Sequence, residues 1–214
     1  MVQDAARLLF LGLLLGPAVG CALALPPRGP PALDLAVRVV AALLVHLVAL
    51  GLARRLVPRP APGDHRVLAR GPYLGLAVSR ALVEVASLPL WRGPLTLVHL
   101  GRVLHLDLLG ARVSWDVGLP PDLAVRDPAL LAIGRGSVLE PGVVVEASTL
   151  RAGRVHVASV YIGERCVVGS QVLLLPGVTI AHDVRVEPGA LLADDVRVGV
   201  ACVIGPGARL SRGV

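Results

Sequence analysis

The sequence predicts a chain in two parts: an all-β solenoid in the C-terminal half, preceded by an α-helical transmembrane hairpin and amphipathic helices. Three observations carry that reading: an aliphatic residue at every sixth position, two long stretches with little or no charge near the start, and proline-rich breaks between the parts. The 214 residues are 55 % hydrophobic and 17 % charged. An ordinary soluble domain has about a quarter charged residues, so lipid or an unusual core must account for the deficit. All 21 basic residues are arginine and the net charge is +6, but only 2 % of residues are aromatic. With almost nothing to stack on bases, the chain is expected to bind no nucleic acid, and an anionic membrane surface is the simpler partner.

The first uncharged stretch covers residues 8–25, eighteen in all, close to the ~20 that cross a bilayer core. A secretion signal is the alternative, with Cys21 as a lipoprotein-type cysteine. Against it stand the weakly charged head of the chain, where Asp4 offsets Arg7, and a second apolar segment at 33–53. Asp34 and Arg38 near its start and His46 near its middle interrupt that segment. Arg38 is expected to snorkel to the interface, and His46 to be a neutral imidazole bonded to a helix carbonyl. The turn at 26–31 carries Arg28 alone, whereas Arg54, Arg55, Arg59, Arg66 and Arg70 follow the second segment. That asymmetry places the turn outside an inner membrane and both chain ends in the cytoplasm.

Residues 58–63 read as a proline-rich linker. The apolar run 73–91 holds Arg80 and Glu84 one helical turn apart as an ion pair. A further helix is expected from Pro94 to about residue 109, with His99, Arg102 and His105 on one polar, solvated face. Both segments suit amphipathic helices lying on the membrane or on the next domain. The expected domains are 1–57 for the two spans, 58–112 for the linker and amphipathic helices, and 113–214 for the solenoid.

In the solenoid, aliphatic residues fall at Ile162, Val168, Leu174, Ile180, Val186, Leu192, Val198, Ile204 and Leu210. A small or β-branched residue stands four positions after each of the first eight, and the position just after the aliphatic is often tiny, as at Gly163 and Gly169. Neither a helix nor an alternating strand makes this period; stacked short units do. Hexads also begin at Val113, Leu119, Val125, Ile133, Leu139 and Val145, with Leu131 and Ala132 as two extra residues that shift the phase. Residues 151–161 break the register, so an excursion is expected there within about five coils of eighteen residues. His182 falls on a turn corner and reads as structural. Cys166 and Cys202 lie two coils apart on one face, roughly 10 Å at the usual strand spacing, too far for a disulfide.

The runs Ile162-Gly163 through Val168-Gly169 and Leu175-Pro176-Gly177-Val178-Thr179-Ile180 resemble the hexapeptide-repeat acyltransferases, whose fold is a left-handed parallel β-helix. The two spans, Arg92-Gly93-Pro94-Leu95, Leu108-Leu109-Gly110-Ala111-Arg112-Val113 and Asp127-Pro128-Ala129-Leu130-Leu131 are similar to membrane-anchored repeat modules at the ends of nonribosomal-peptide-synthetase-like proteins. The resemblance implies a homotrimer with sites between subunits. It also implies acyl transfer from acyl-coenzyme A, as co-substrate, to the hydroxyl or amine of a small-molecule or peptide acceptor. A histidine acts there as general base and backbone amides polarise the thioester. The family's base lies near the start of the excursion, here around Ser148, which cannot serve; the histidine the excursion offers is His156, with Tyr161 or Glu146 to orient it. Coenzyme A phosphates would fall to Arg185, Arg197, Arg209 and Arg212. No metal is expected, because a zinc-dependent β-helix hydratase needs three histidines and the solenoid has only His156 and His182. The alternative to an enzyme is a non-catalytic trimeric scaffold for a peptide-synthetase or surface-polymer system.

Overall fold

The computed structural model describes residues 2–26, 30–66, 72–96 and 98–211. Arg28, Arg70 and Arg212 therefore lie outside the described residues.

Helix α1 (Val2–Ala24) and helix α2 (Pro31–Leu56) form the hairpin. Both are long and apolar enough to cross a membrane, by length and composition. Both run past the expected limits, and at the start of α1 Arg7 and Gln3 both bond Glu84. Leu8, Leu23, Leu35 and Val48 point outward and are exposed, whereas Leu14, Leu50 and His46 are wholly buried. The His46 ring lies against the α1 backbone at Leu14. Arg38 is held at the closed end of the hairpin. Its Nε donates to Asp34 at 2.8 Å, and its two terminal nitrogens donate to the carbonyls of Ala22 (2.6 Å) and Leu25 (2.8 Å). Those carbonyls sit at the end of α1, where no intrahelical donor reaches them, so the guanidinium closes the hairpin by capping.

A short strand, β1 (Gly63–Arg66), begins where the proline-rich linker ends. Helices α3 (Pro72–Ala86), α4 (Pro89–Thr96) and α5 (His99–Leu108) follow. The helix expected from Pro94 is instead divided, with Pro94 inside α4 and a fresh start at His99. Helix α3 joins two cores, giving Ala81, Leu82 and Val85 to the hairpin and Leu76 to the solenoid. His105 is buried, at 7 % exposure, not solvated on the helix face. His99 stays exposed and bonds the Trp115 carbonyl at 3.3 Å.

The hexads become five stacked coils. The first holds β2 (Arg112–Val113), a bridge at Gly118 and β3 (Ala124–Val125). The second holds β4 (Leu131–Ile133), β5 (Val138–Leu139) and β6 (Val144–Val145). An excursion then forms β7 (Ser148–Arg151) and β8 (Arg154–Val157). The third coil holds β9 (Val160–Ile162), β10 (Val167–Val168) and β11 (Leu173–Leu174). The fourth holds β12 (Thr179–Ile180), β13 (Arg185–Val186) and β14 (Leu191–Leu192). The fifth holds β15 (Arg197–Val198), β16 (Val203–Ile204) and β17 (Arg209–Leu210).

Like strands of successive coils pair in parallel, giving three faces: β2-β4-β9-β12-β15, β5-β10-β13-β16 and β3-β6-β11-β14-β17. These three parallel sheets fit a left-handed β-helix. The second residue of nearly every coil strand is the aliphatic of the hexad and points inward; Ile162, Leu174, Ile180 and Leu192 are wholly buried, each contributing about 1.5–3 kcal/mol. Val172, Val178, Val184 and Cys166 fill the gaps between them. The tiny residue after the aliphatic is needed where coils touch, since a Cβ on Gly163 would stand 2.5 Å from the Ala181 carbonyl oxygen. From Arg165 to Gly207 every sixth residue has positive φ, including Gln171, Asp183, Asp195 and Ala201; these residues turn the corners. His182 sits at one corner and accepts the Glu164 backbone N–H at Nδ1, 3.0 Å away. The three cysteines are free.

Two register details differ from the expectation. The phase shift is taken up by a 3-10 turn at Pro128–Leu130, while Leu131 and Ala132 belong to β4. The excursion starts earlier, at Ser148, and ends before Val160, so that Tyr161 already lies in the coil opposite Thr179.

Candidate functional site

The excursion is a hairpin whose tight turn uses positive φ at both Ala152 and Gly153, the geometry that matches strand twist. Its second strand, β8, is central in a three-stranded antiparallel sheet ordered β1-β8-β7. Register sets Asp64 and Thr149 on either side of His156, so the three side chains share one face of this small sheet. The other face carries Val155 and Val157 into the solenoid core.

His156 is held from two sides. Its Nδ1 lies 2.8 Å from Asp64 Oδ1, and its Nε2 faces Asp195 Oδ2 at 3.6 Å. Only the Asp64 contact is within hydrogen-bond distance, so Nδ1–H donates to it in the neutral ring and Nε2, buried beside Asp195, keeps the lone pair. That is the tautomer a general base needs. The excursion is tied down beside it by Arg151, 2.6 Å from Asp194, and by Thr149, whose hydroxyl reaches the same carboxylate at 3.5 Å. Asp195 in turn lines a cleft of about 960 Å³, open to solvent, with Gly177, Arg197, Leu210 and Ser211.

Neither residue expected to orient His156 does so. Tyr161 is in the third coil, and Glu146 pairs with Arg126 at 3.4 Å. The orienting residue is Asp64, from β1. It is 92 positions away in the chain, and nothing in the polar tetrapeptide Gly63–Arg66 marks it as a strand that pairs with the excursion.

Ser148, at the start of the excursion, is 1 % exposed. Its hydroxyl donates to Asp127 and accepts from Arg80, and Arg80 also grips Asp127 at 3.0 and 3.3 Å. Arg80 thus does not pair with Glu84 on its own helix. The serine is part of a clasp that joins α3 to the coil at the two places where the hexad register breaks.

The arginines do not converge within one chain. Arg197 is on the β15 face, Arg185 on the β13 face and Arg209 on the β17 face. They are twelve residues apart, and only multiples of eighteen return to the same face of an eighteen-residue coil. Among the described residues, no group of three His, Cys, Asp or Glu side chains is placed to hold a metal.

No family model and no curated protein matches this sequence. Among solved structures, the chain is similar to a hexapeptide-repeat-containing acetyltransferase from Vibrio cholerae, complexed with acetyl-coenzyme A. That match has 16 % identity and a TM-score of 0.43, covering 60 % of this chain and 78 % of the other. A maltose O-acetyltransferase from Clostridium difficile matches at 15 % identity and a TM-score of 0.45, covering 67 % and 89 %. A galactoside acetyltransferase in complex with coenzyme A matches at 15 % and 0.41, covering 72 % and 86 %. What this chain can do is read from its own side chains.

Proposed function

We propose that this protein is a membrane-anchored hexapeptide-repeat acyltransferase, working as a homotrimer on the cytoplasmic side of the inner membrane. The single observation that carries the reading is the pairing of His156, on the excursion, with Asp64 of β1, 2.8 Å away; Nε2 faces Asp195 and is buried in the single chain, so an acceptor reaches it only as that contact opens. The acceptor's hydroxyl or amine loses its proton to Nε2 as its oxygen or nitrogen attacks the thioester carbonyl. The C–S bond breaks, the imidazolium returns the proton to the leaving sulfur, and coenzyme A departs as the thiol with no acyl-enzyme formed. Asp64 fixes the ring and balances the transient positive charge. Arg197 lines the cleft beside Asp195 and is suited to a donor phosphate. Arg185 and Arg209 are suited to it only across clefts between copies, and Arg212 is retained in the same role.

Two apolar helices and the arginines that follow them support the anchoring and its direction. The acceptor is a small molecule or peptide. The likeness to synthetase-associated modules adds a second reading, a non-catalytic scaffold, which one observation favours: the serine at the family's base position is buried in the Arg80–Asp127 clasp.

The test is transfer from a panel of acyl-coenzyme A thioesters to hydroxyl and amine acceptors. His156→Ala is expected to lower transfer about a hundredfold or more while leaving the oligomer unchanged by light scattering. Full activity in that variant overturns the base assignment. A donor that binds raises the stability of the wild-type protein by about 2.7 kcal/mol at a hundredfold excess over its Kd; no shift with any donor supports the scaffold.

A further inference from the structure

Where α2 ends, three arginines line one cleft. Arg54, Arg55 and Arg59 border about 1340 Å³ of space, open to solvent, between α2 and α5, and Asp107 is the sole acid on its wall. Among the described residues none of the three arginines makes an ion pair. Arg54 is built in: its guanidinium packs over Gly110, where a Cβ would stand 2.7 Å from Nε and where φ is +99°. Its Nη1 reaches the Val57 carbonyl only at 3.5 Å, and its Nη2 is buried with no hydrogen-bond partner. Two or three cations at a helix C-terminus exceed the half charge of the helix dipole, so the cleft keeps an excess of positive charge.

The cleft is continuous with an apolar groove. Val48, Leu52 and Arg55 wall both, and the groove runs on along the hairpin past Leu44, Leu13 and Pro17, with about 1320 Å³ of space. A row of cations at one end of a lipid-depth apolar groove matches a molecule with an anionic head and a hydrocarbon tail.

We propose that the cleft between α2 and α5 seats the phosphate of an anionic phospholipid, one of whose chains lies in the adjoining groove. The inference rests on the membrane-anchored reading above. Helix α5 leads through Leu109–Ala111 directly into β2, so the seated lipid fixes the first coil relative to the bilayer.

The experiment uses the full chain in mild detergent, titrated with phosphatidylglycerol, with phosphatidylcholine of the same chains, or with inorganic phosphate, and read by native mass spectrometry and thermal midpoint. Wild type is expected to prefer phosphatidylglycerol over phosphatidylcholine on the order of a hundredfold, the reach of three arginines at an anionic surface. Arg54→Gln/Arg55→Gln/Arg59→Gln is expected to lose the preference. Arg55→Gln/Arg59→Gln, which spares the Arg54 packing on Gly110, is expected to lose most of it with an unchanged circular dichroism spectrum. Equal binding of the two lipids, or a preference that survives the triple substitution, overturns the proposal. So does a matching midpoint shift with inorganic phosphate, or displacement of the lipid by coenzyme A at equal concentration, since each assigns the arginines to a soluble phosphate. Release of the protein from vesicles by alkaline carbonate overturns the anchoring itself; retention without lipid preference overturns only the seat.

Discussion

Asp127 accepts two hydrogen bonds from Arg80, at 3.0 and 3.3 Å, although 47 residues separate them and they belong to different parts of the fold. The aspartate side chain is 2 % exposed and the arginine 26 %. Removing one partner strands the other, so Asp127→Ala is expected to cost about 3 kcal/mol, measured by chemical denaturation in detergent. Glu84→Gln on the same helix removes an exposed pair with Arg7 and is expected to change stability by less than about 1 kcal/mol. Equal effects of the two would show that the clasp carries no special share of stability.

The corners offer a gain. Ala201 has φ +54° and is exposed. A left-handed non-glycine costs about 1–2 kcal/mol, of which glycine's extra chain entropy returns about half. Ala201→Gly is therefore expected to raise stability by roughly 0.5 kcal/mol, seen as a higher denaturation midpoint.

Glycines in the stack are not alike. A Cβ at Gly163 would meet the backbone of the next coil, whereas one at Gly205 would meet nothing within 4 Å. Gly163→Ala is expected to cost about 2 kcal/mol through displaced backbone, and Gly205→Ala to stay within about 0.5 kcal/mol. A harmless Gly163→Ala would mean that the coils can separate at low cost.

Acid should weaken one inter-coil pair. Arg165 donates two hydrogen bonds to Asp183, at 2.6 and 2.7 Å, and this holds the Asp183 carboxyl below its ordinary value of 3.8. A carboxyl depressed in the folded state contributes stability above its unfolded pKa, and loses it as pH falls through the folded pKa. The thermal midpoint of wild type over Asp183→Asn is expected to be largest above pH 3.8 and to vanish as acid protonates the folded carboxyl. Salt should shrink it, since the pair is exposed. A difference constant down to the lowest pH would remove Asp183 as its source.

The hexad period made the solenoid legible almost residue by residue. Val113, Val125 and the aliphatics from Ile133 to Leu210 all occupy strands at the expected phase, because burial on a repeating inward face is written in one residue type. The hairpin was legible for a similar reason, through long apolar runs. What escaped the sequence was contact between distant, non-repeating segments. Asp64 beside His156 and Arg80 beside Asp127 depend on how β1 and α3 fold back, and single polar residues carry no period to announce that. His105 escaped because a helix face that is polar by sequence can still be covered by the next domain. The arginines on three faces were countable by modular arithmetic, but only with the eighteen-residue coil applied to each pair.

The strand β1 has a consequence for where the molecule can be cut. Cleavage at residue 113, the start of the first hexad, removes β1, and the β8 backbone then presents open donors and acceptors along the side that Gly63–Arg66 had occupied. Such an edge is a template for another chain. A repeat domain expressed alone would accordingly be prone to stick to itself, with His156 deprived of Asp64, so soluble fragments should begin no later than Gly63.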